Sequence, residues 1–242
     1  MPFYLLLPLG SAFIYALSTL FLKRGLLEGA RLRQAVHITN IAVGIVVCPL
    51  YFFQKEPVAW HLIWQPLTMS VLFYAAGWLT VWAMRHGDVS LVTPVMGTKV
   101  VFVALGSVLV LGESLPGLLI FSVFLTAVGI FVLGIPDIAN SRASFGPAIL
   151  LAMLSVAMFA SCDLLIKEWA IPFGKHAFIA IGSNGVGLIS LIDIALSRLP
   201  WRETYPATTD KTRFWIWASA LSLAFRQSSS ESFWRRPEMP RA

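Results

Sequence analysis

LLLPLGSAFIYALSTLFLK (residues 5–23) returns as ILLAMLSVAMFASCDLLIK (residues 149–167). The constant offset of 144 positions aligns Leu6 with Leu150, Leu7 with Leu151, Ser11 with Ser155, Ala16 with Ala160, Leu20 with Leu164 and Lys23 with Lys167. Without a gap it carries on to Asn40 and Asn184, then to Ile45 and Ile189. Two of these matches carry most of the weight: a lysine closes the same hydrophobic run in both copies, and an asparagine lies inside the next run. Duplicated apolar segments of this kind are characteristic of membrane transporters built from repeats.

Composition points the same way. Of 242 residues, 57% are hydrophobic and only 12% charged, about half the charged share of a soluble domain. Mean hydropathy is +0.77. The net charge of +6 and pI near 9.6 do not mark a nucleic-acid binder, because the basic residues fall in short tracts between apolar runs and form no continuous basic face. They suit the orienting charges of a membrane protein. Cys48 and Cys162 both lie inside apolar runs and form no CxxC pair, so the expectation is two small buried side chains. The first 24 residues lack a basic leader and hold an apolar run too long for a signal-peptide core, so they are expected to remain as a first span.

A hydrocarbon core needs about 20 apolar residues per helix. Seven runs qualify: Pro2 to Leu22, Ala35 to Phe53, Pro66 to Met84, Val89 to Leu111, Leu115 to Ile135, Gly146 to Ile166 and His176 to Ser197. An eighth, Phe214 to Phe225, is too short to cross. The links are brief, Arg85 to Asp88 and Gly112 to Ser114 among them, which makes sequence neighbours antiparallel. Residues 1–135 thus form a first five-helix unit, 136–145 a linker, 146–225 an incomplete second unit, and 226–242 a polar tail rich in arginine. A full second copy would end near residue 279, about 37 positions further on. The expectation is that a frameshift or premature stop has replaced its end.

Five helices per unit place the second copy upside down relative to the first. Loops after odd-numbered spans carry Lys23, Arg24, Arg31, Arg33, Arg85, Arg142, Arg198, Arg202, Lys211 and Arg213; the other side carries Lys55, Lys167 and Lys175. By the positive-inside rule this puts the N-terminus outside the cytosol.

Lys99 stands near the middle of the fourth run, where a charge is costly and by default functional. Asp163, Asp193 and Asp88 are its candidate partners, and spacing does not choose among them. Asp163 and Lys167 stand at i and i+4, a geometry that suits an ion pair within one helix. Lys23 and Lys167 read first as interfacial anchors, with matched positions suggesting a role at two gates. Asn40 and Asn184, each following a hydroxyl residue, must find hydrogen-bond partners, so they either lock helices together or face a polar cavity. Gly182, Gly185 and Gly187 allow close approach or a bend in the seventh helix, while Gly117, Gly129 and Gly134 suggest packing in the fifth. Pro94, if inside the fourth helix, frees a carbonyl of the preceding turn. His37, His61, His86 and His176 all read as interfacial. Trp60, Trp64, Trp201, Trp215 and Trp217 fall near boundaries, as an aromatic belt would. No GxGxxG, Walker, HExxH or GxSxG motif occurs, so neither nucleotide binding nor a hydrolase is announced.

The stretch MRHGDVSLVTPVMGTKVVFVALGSVLVLGESLPGLLIFSVFLTAVGIFVLG, Met84 to Gly134, resembles the end of an EamA domain of the drug/metabolite transporter superfamily. A short polar turn, VSLVTP entering a long apolar helix, LGES closing it at Glu113 and a glycine-spaced fifth helix carry the likeness, together with FLKRG at Lys23. The resemblance implies an all-α membrane fold of two inverted five-helix units that moves small metabolites, amino acids or drugs by alternating access, with both termini in the cytosol. Its expected partners are the lipid bilayer of the cell membrane and a small-molecule substrate. No nucleic acid, cofactor or metal is expected, and self-association as a homo-oligomer is left open. The residues expected to line the cavity and bind substrate are Asn40, Lys99, Asp163 and Asn184. The other reading is a truncated, non-transporting membrane fragment.

Overall fold

The computed structural model describes residues 31–86, 89–140 and 145–196, with scattered positions between 13 and 24 and between 214 and 218. Every regular element among the described residues is a helix: α1 (Leu32–Val47), α2 (Trp64–His86), α3 (Val89–Gly97), α4 (Lys99–Leu109), α5 (Gly117–Asn140), α6 (Phe145–Phe173) and α7 (Lys175–Leu196), with 3-10 turns at Cys48–Phe53 and Trp60–Leu62. Among the described residues, four stretches are long and apolar enough to cross a bilayer: Leu32–Phe53, Trp60–Met84, Gly146–Phe173 and Lys175–Leu196. Pro94–Leu109 and Gly117–Gly129 are shorter apolar helices. The expected first span and the eighth run fall almost wholly outside the described residues.

Three helices depart from the sequence expectation. The fourth run is interrupted at Thr98, giving α3 and α4 in place of one helix. The fifth continues past Pro136 to Asn140, into the expected linker. The sixth passes Lys167 and Glu168 and stops only before Gly174, whose φ of +112° is open to glycine alone. Charged residues at a helix end set membrane depth and do not terminate the backbone ladder.

The chain divides into two compact units, Met1–Val58 with Gly174–Ala242, and Ala59–Phe173. In the first, α1 and α7 lie antiparallel, so that Arg33 faces Asp193 and Gly44 faces Ser183. Under the 144-residue offset these two helices are counterparts, and inverted repeats require counterparts to run in opposite directions. Their contact is reciprocal. A Cβ on Gly44 would lie 3.3 Å from the Ser183 carbonyl oxygen, and one on Gly187 3.3 Å from that of Asn40. Close approach of this kind replaces the hydrophobic effect as the packing force in lipid. Ala35 and Ala42 of α1 and Ala177 and Ala180 of α7 are buried, while Ile45, Leu188 and Ile192 face outward. Pro49, near the start of the Cys48–Phe53 turn, cannot donate to the α-helical ladder, and the chain tightens there. Cys48 is consequently exposed, against the expectation of a buried thiol; Cys162 is buried. Gln54 then caps α7 from outside: its Oε1 accepts the N–H groups of His176 and Ala177 at 3.1 and 3.3 Å.

In the second unit, α2 and α6 form the other antiparallel pair. Trp64 packs edge-on against Trp169 and Phe73 against Phe159, both at 5.1 Å between ring centroids. Between them Ser155 Oγ donates to the Ala76 carbonyl at 2.8 Å and lies 2.7 Å from Thr80 Oγ1. Ala148, Ala152, Val156 and Ala160 supply the small buried stripe of α6, with Leu150 and Leu154 outward. Val92 of α3 joins Ala83 and Ala152 in a buried cluster that Met84, Val95, Met96 and Leu151 cover. Nothing lies within 4 Å of a Cβ built on Gly117 or Gly129. These glycines of α5 therefore do not serve the close packing expected of them.

Candidate functional site

The break between α3 and α4 follows from three adjacent residues. Pro94 lies inside α3 and offers no N–H to the preceding turn, Gly97 weakens the helix, and Thr98 turns its own hydroxyl back on the Val95 carbonyl at 2.7 Å. The Thr98 N–H bonds that same carbonyl at 3.0 Å, an i to i−3 step that tightens the chain. Lys99 is thereby the first residue of α4.

Its Nζ lies 2.7 Å from Asp163 Oδ2 and 5.7 Å from the centre of the Phe159 ring, one turn earlier on α6. The choice among Asp163, Asp193 and Asp88 is settled for Asp163; Asp193 pairs elsewhere, and Asp88 lies outside the described residues. One turn beyond Asp163, Lys167 donates to both carboxylate oxygens of Glu113. The expected pair within α6, Asp163 with Lys167, gives way to two pairs between elements. Tertiary proximity supplies shorter partners than the i to i+4 spacing does. Phe159, Asp163 and Lys167 thus form one stripe of α6 facing α4 and the segment after it. Gly106 lets α4 settle against Leu164, where a Cβ would collide with that side chain. Gly112, at φ +65°, ends the approach, and the Glu113 N–H bonds the Ser107 carbonyl at 3.1 Å. Lys23, the repeat counterpart of Lys167, lies outside the described residues.

Asn40 and Asn184 belong to the other compact unit, on α1 and α7. Asn40 Nδ2 donates to Ser190 Oγ at 3.0 Å, a bond between helices, whereas Asn184 Nδ2 donates to the Ala180 carbonyl of its own helix at 2.7 Å. The structure therefore joins Lys99 to Asp163 in one unit and sets Asn40 and Asn184 along one seam in the other.

That seam holds a group the sequence reading missed. Arg33 Nη2 and His37 Nε2 both lie 3.1 Å from Asp193 Oδ2. His37, expected near a span end, is buried there at 1% exposure beside Asp193. Spacing could have revealed it: Arg33, His37, Asn40 and Gly44 recur on one face of α1, and Ser183, Gly187, Ser190 and Asp193 on one face of α7. Trp60, Trp64 and Trp217 are exposed. Trp201 and Trp215 fall outside the described residues.

A family model described as the EamA-like transporter family matches residues 2–135, more than half of the chain. The chain belongs to the EamA-like transporter family. The match spans the α3–α4 break, Lys99 and Glu113 of this EamA-like protein, while Asp163 and Lys167 lie beyond it. No curated protein and no solved structure matches the chain. EamA family members are transporters and all-α membrane proteins, in keeping with the four helices able to cross a bilayer.

Proposed function

We propose that this EamA-like protein is a multi-pass secondary transporter of the cell membrane that moves small metabolites, amino acids or drugs by alternating access. Lys99 and Asp163 are its principal substrate contacts. The observation that carries this reading is the ion pair of 2.7 Å at the interruption between α3 and α4. Charges within apolar helices are expensive to keep, and interrupted helices at membrane depth occur where backbone groups line a cavity or a binding site. Both members of the pair retain partial exposure, 36% and 44%, so a solute bearing charge can exchange with either.

The test is counterflow in liposomes with a panel of labelled amino acids and a fluorescent organic cation, for wild type and Lys99→Ala. Transport that survives Lys99→Ala unchanged would remove Lys99 from the site. A chain that inserts and remains folded but moves none of the panel would favour the non-transporting fragment.

A further inference from the structure

Arg33 and His37 stand four residues apart on α1, so their side chains share a face, and the antiparallel course of α7 brings Asp193 opposite both. One oxygen, Asp193 Oδ2, takes both contacts at 3.1 Å. Arg33 Nε approaches His37 Nε2 at 3.4 Å. These distances constrain where a hydrogen can be. Arg33 Nε–H donates to His37 Nε2 while Arg33 Nη2 donates to Asp193 Oδ2, so in the neutral ring Nε2 is the acceptor and the hydrogen is on Nδ1. The imidazole is 1% exposed, while Arg33 and Asp193 are 24% and 30% exposed. Water therefore reaches the ring by way of the carboxylate. Histidine is the side chain whose ordinary titration lies between pH 5 and 8. On α1, the charged or titratable residues are Arg33 and His37; α7 contributes Lys175 and His176 at its far end and Asp193 here. The adjoining Cys48–Phe53 turn contributes Cys48 and Tyr51 only.

The cluster also breaks the repeat. Under the 144-residue offset the counterparts of Arg33, His37 and Asp193 are Ala177, Ile181 and Pro49, none of which ionises. The charged latch at one end of this helix pair thus has no ionisable counterpart at the repeat-related positions.

We infer that Arg33, His37 and Asp193 form a proton-binding site that holds this end of α1 to α7. Uptake of one proton from hydronium forms an N–H bond at His37 Nε2, leaves water behind and takes the cluster from neutral to a charge of +1. The imidazolium then claims Asp193 Oδ2 and repels Arg33, which is released. Because the positions related to Arg33, His37 and Asp193 by the offset do not ionise, proton uptake at His37 loosens this end of the seam. The use of this proton to drive transport rests on the reading above; its binding does not.

The test uses the full chain in lipid nanodiscs with isotopically labelled histidine, followed by NMR across pH, with the His37 signals identified by their loss in His37→Gln. The expected result is a His37 titration whose midpoint moves by at least about one unit in Asp193→Asn. Signals that stay constant with pH, or a midpoint untouched by Asp193→Asn, would overturn the site. Amide hydrogen exchange gives a second readout should Asp193→Asn fold poorly. Corrected for intrinsic rates, residues 32–40 should exchange severalfold faster at pH 5.5 than at pH 8 in wild type and at equal rates in His37→Gln; equal rates in wild type would refute release of Arg33. Neither measurement needs transport, so a silent counterflow assay leaves this inference intact.

Discussion

Replacing Asp163 with Asn strands the Lys99 ammonium beside Phe159, and the size of the penalty follows from the geometry. At 2.7 Å an effective dielectric of about 20 corresponds to a gross attraction of about 6 kcal/mol. Partial exposure of both side chains lowers the net coupling toward the value of about 1 kcal/mol typical of open pairs, whereas breaking a fully buried pair costs about 3–5 kcal/mol. The pair lies between these limits, so Asp163→Asn and Lys99→Met should each destabilise by about 2 kcal/mol. The double variant removes both charges at once and should lose about 2 kcal/mol rather than about 4, a coupling far above the roughly 0.5 kcal/mol scatter of independent sites. Reversible unfolding in bicelles, read by steric trapping, measures all three variants. Losses that simply add would show that Lys99 and Asp163 do not sense each other, and the assigned pairing would fall. If the pair also serves solute binding, the double variant should stay folded yet lose counterflow; a folded and fully active double variant would leave the pair a purely structural element.

The seam of α1 and α7 offers a sharper steric test. Gly187→Val should separate the helices and destabilise the protein by about 1–3 kcal/mol, because the atoms a Cβ would meet are the Asn40 carbonyl oxygen and the Ile41 Cα, backbone that cannot swing aside; wild-type stability in the same bicelle assay would contradict the packing described. Gln54→Ala should cost about 0.5–2 kcal/mol by uncapping the His176 and Ala177 N–H groups, and amide exchange should rise in the first turn of α7 and nowhere else on that helix. Unchanged exchange there would mean that water serves as well as Gln54.

How much of the site could be read in advance depends on which physical rule each residue obeys. The cost of a charge in hydrocarbon singled out Lys99 and Asp163, and the matched asparagines followed from the duplication itself. The partner of Asp163 did not, since helical spacing favoured Lys167 and only the approach of α4 to α6 brings Lys99 and Glu113 into reach. Arg33, His37 and Asp193 were passed over for a related reason. Each sits near a span end, where a lone polar residue needs no explanation, and the cluster exists only once two helices distant in sequence run antiparallel.

The internal likeness at the 144-residue offset, the helical class and the membrane-type hydrophobicity were all present in the order of residues, because hydrophobic run length and repeat offset are properties of the linear chain. Which helices pair, where the fourth run breaks and which charges meet were decided in three dimensions. Glycine contacts such as those of Gly44 and Gly187, and ion pairs such as that of Lys99 with Asp163, act over a few ångströms between residues far apart in sequence. Their energies depend on approach, and approach is set by the packed helices together.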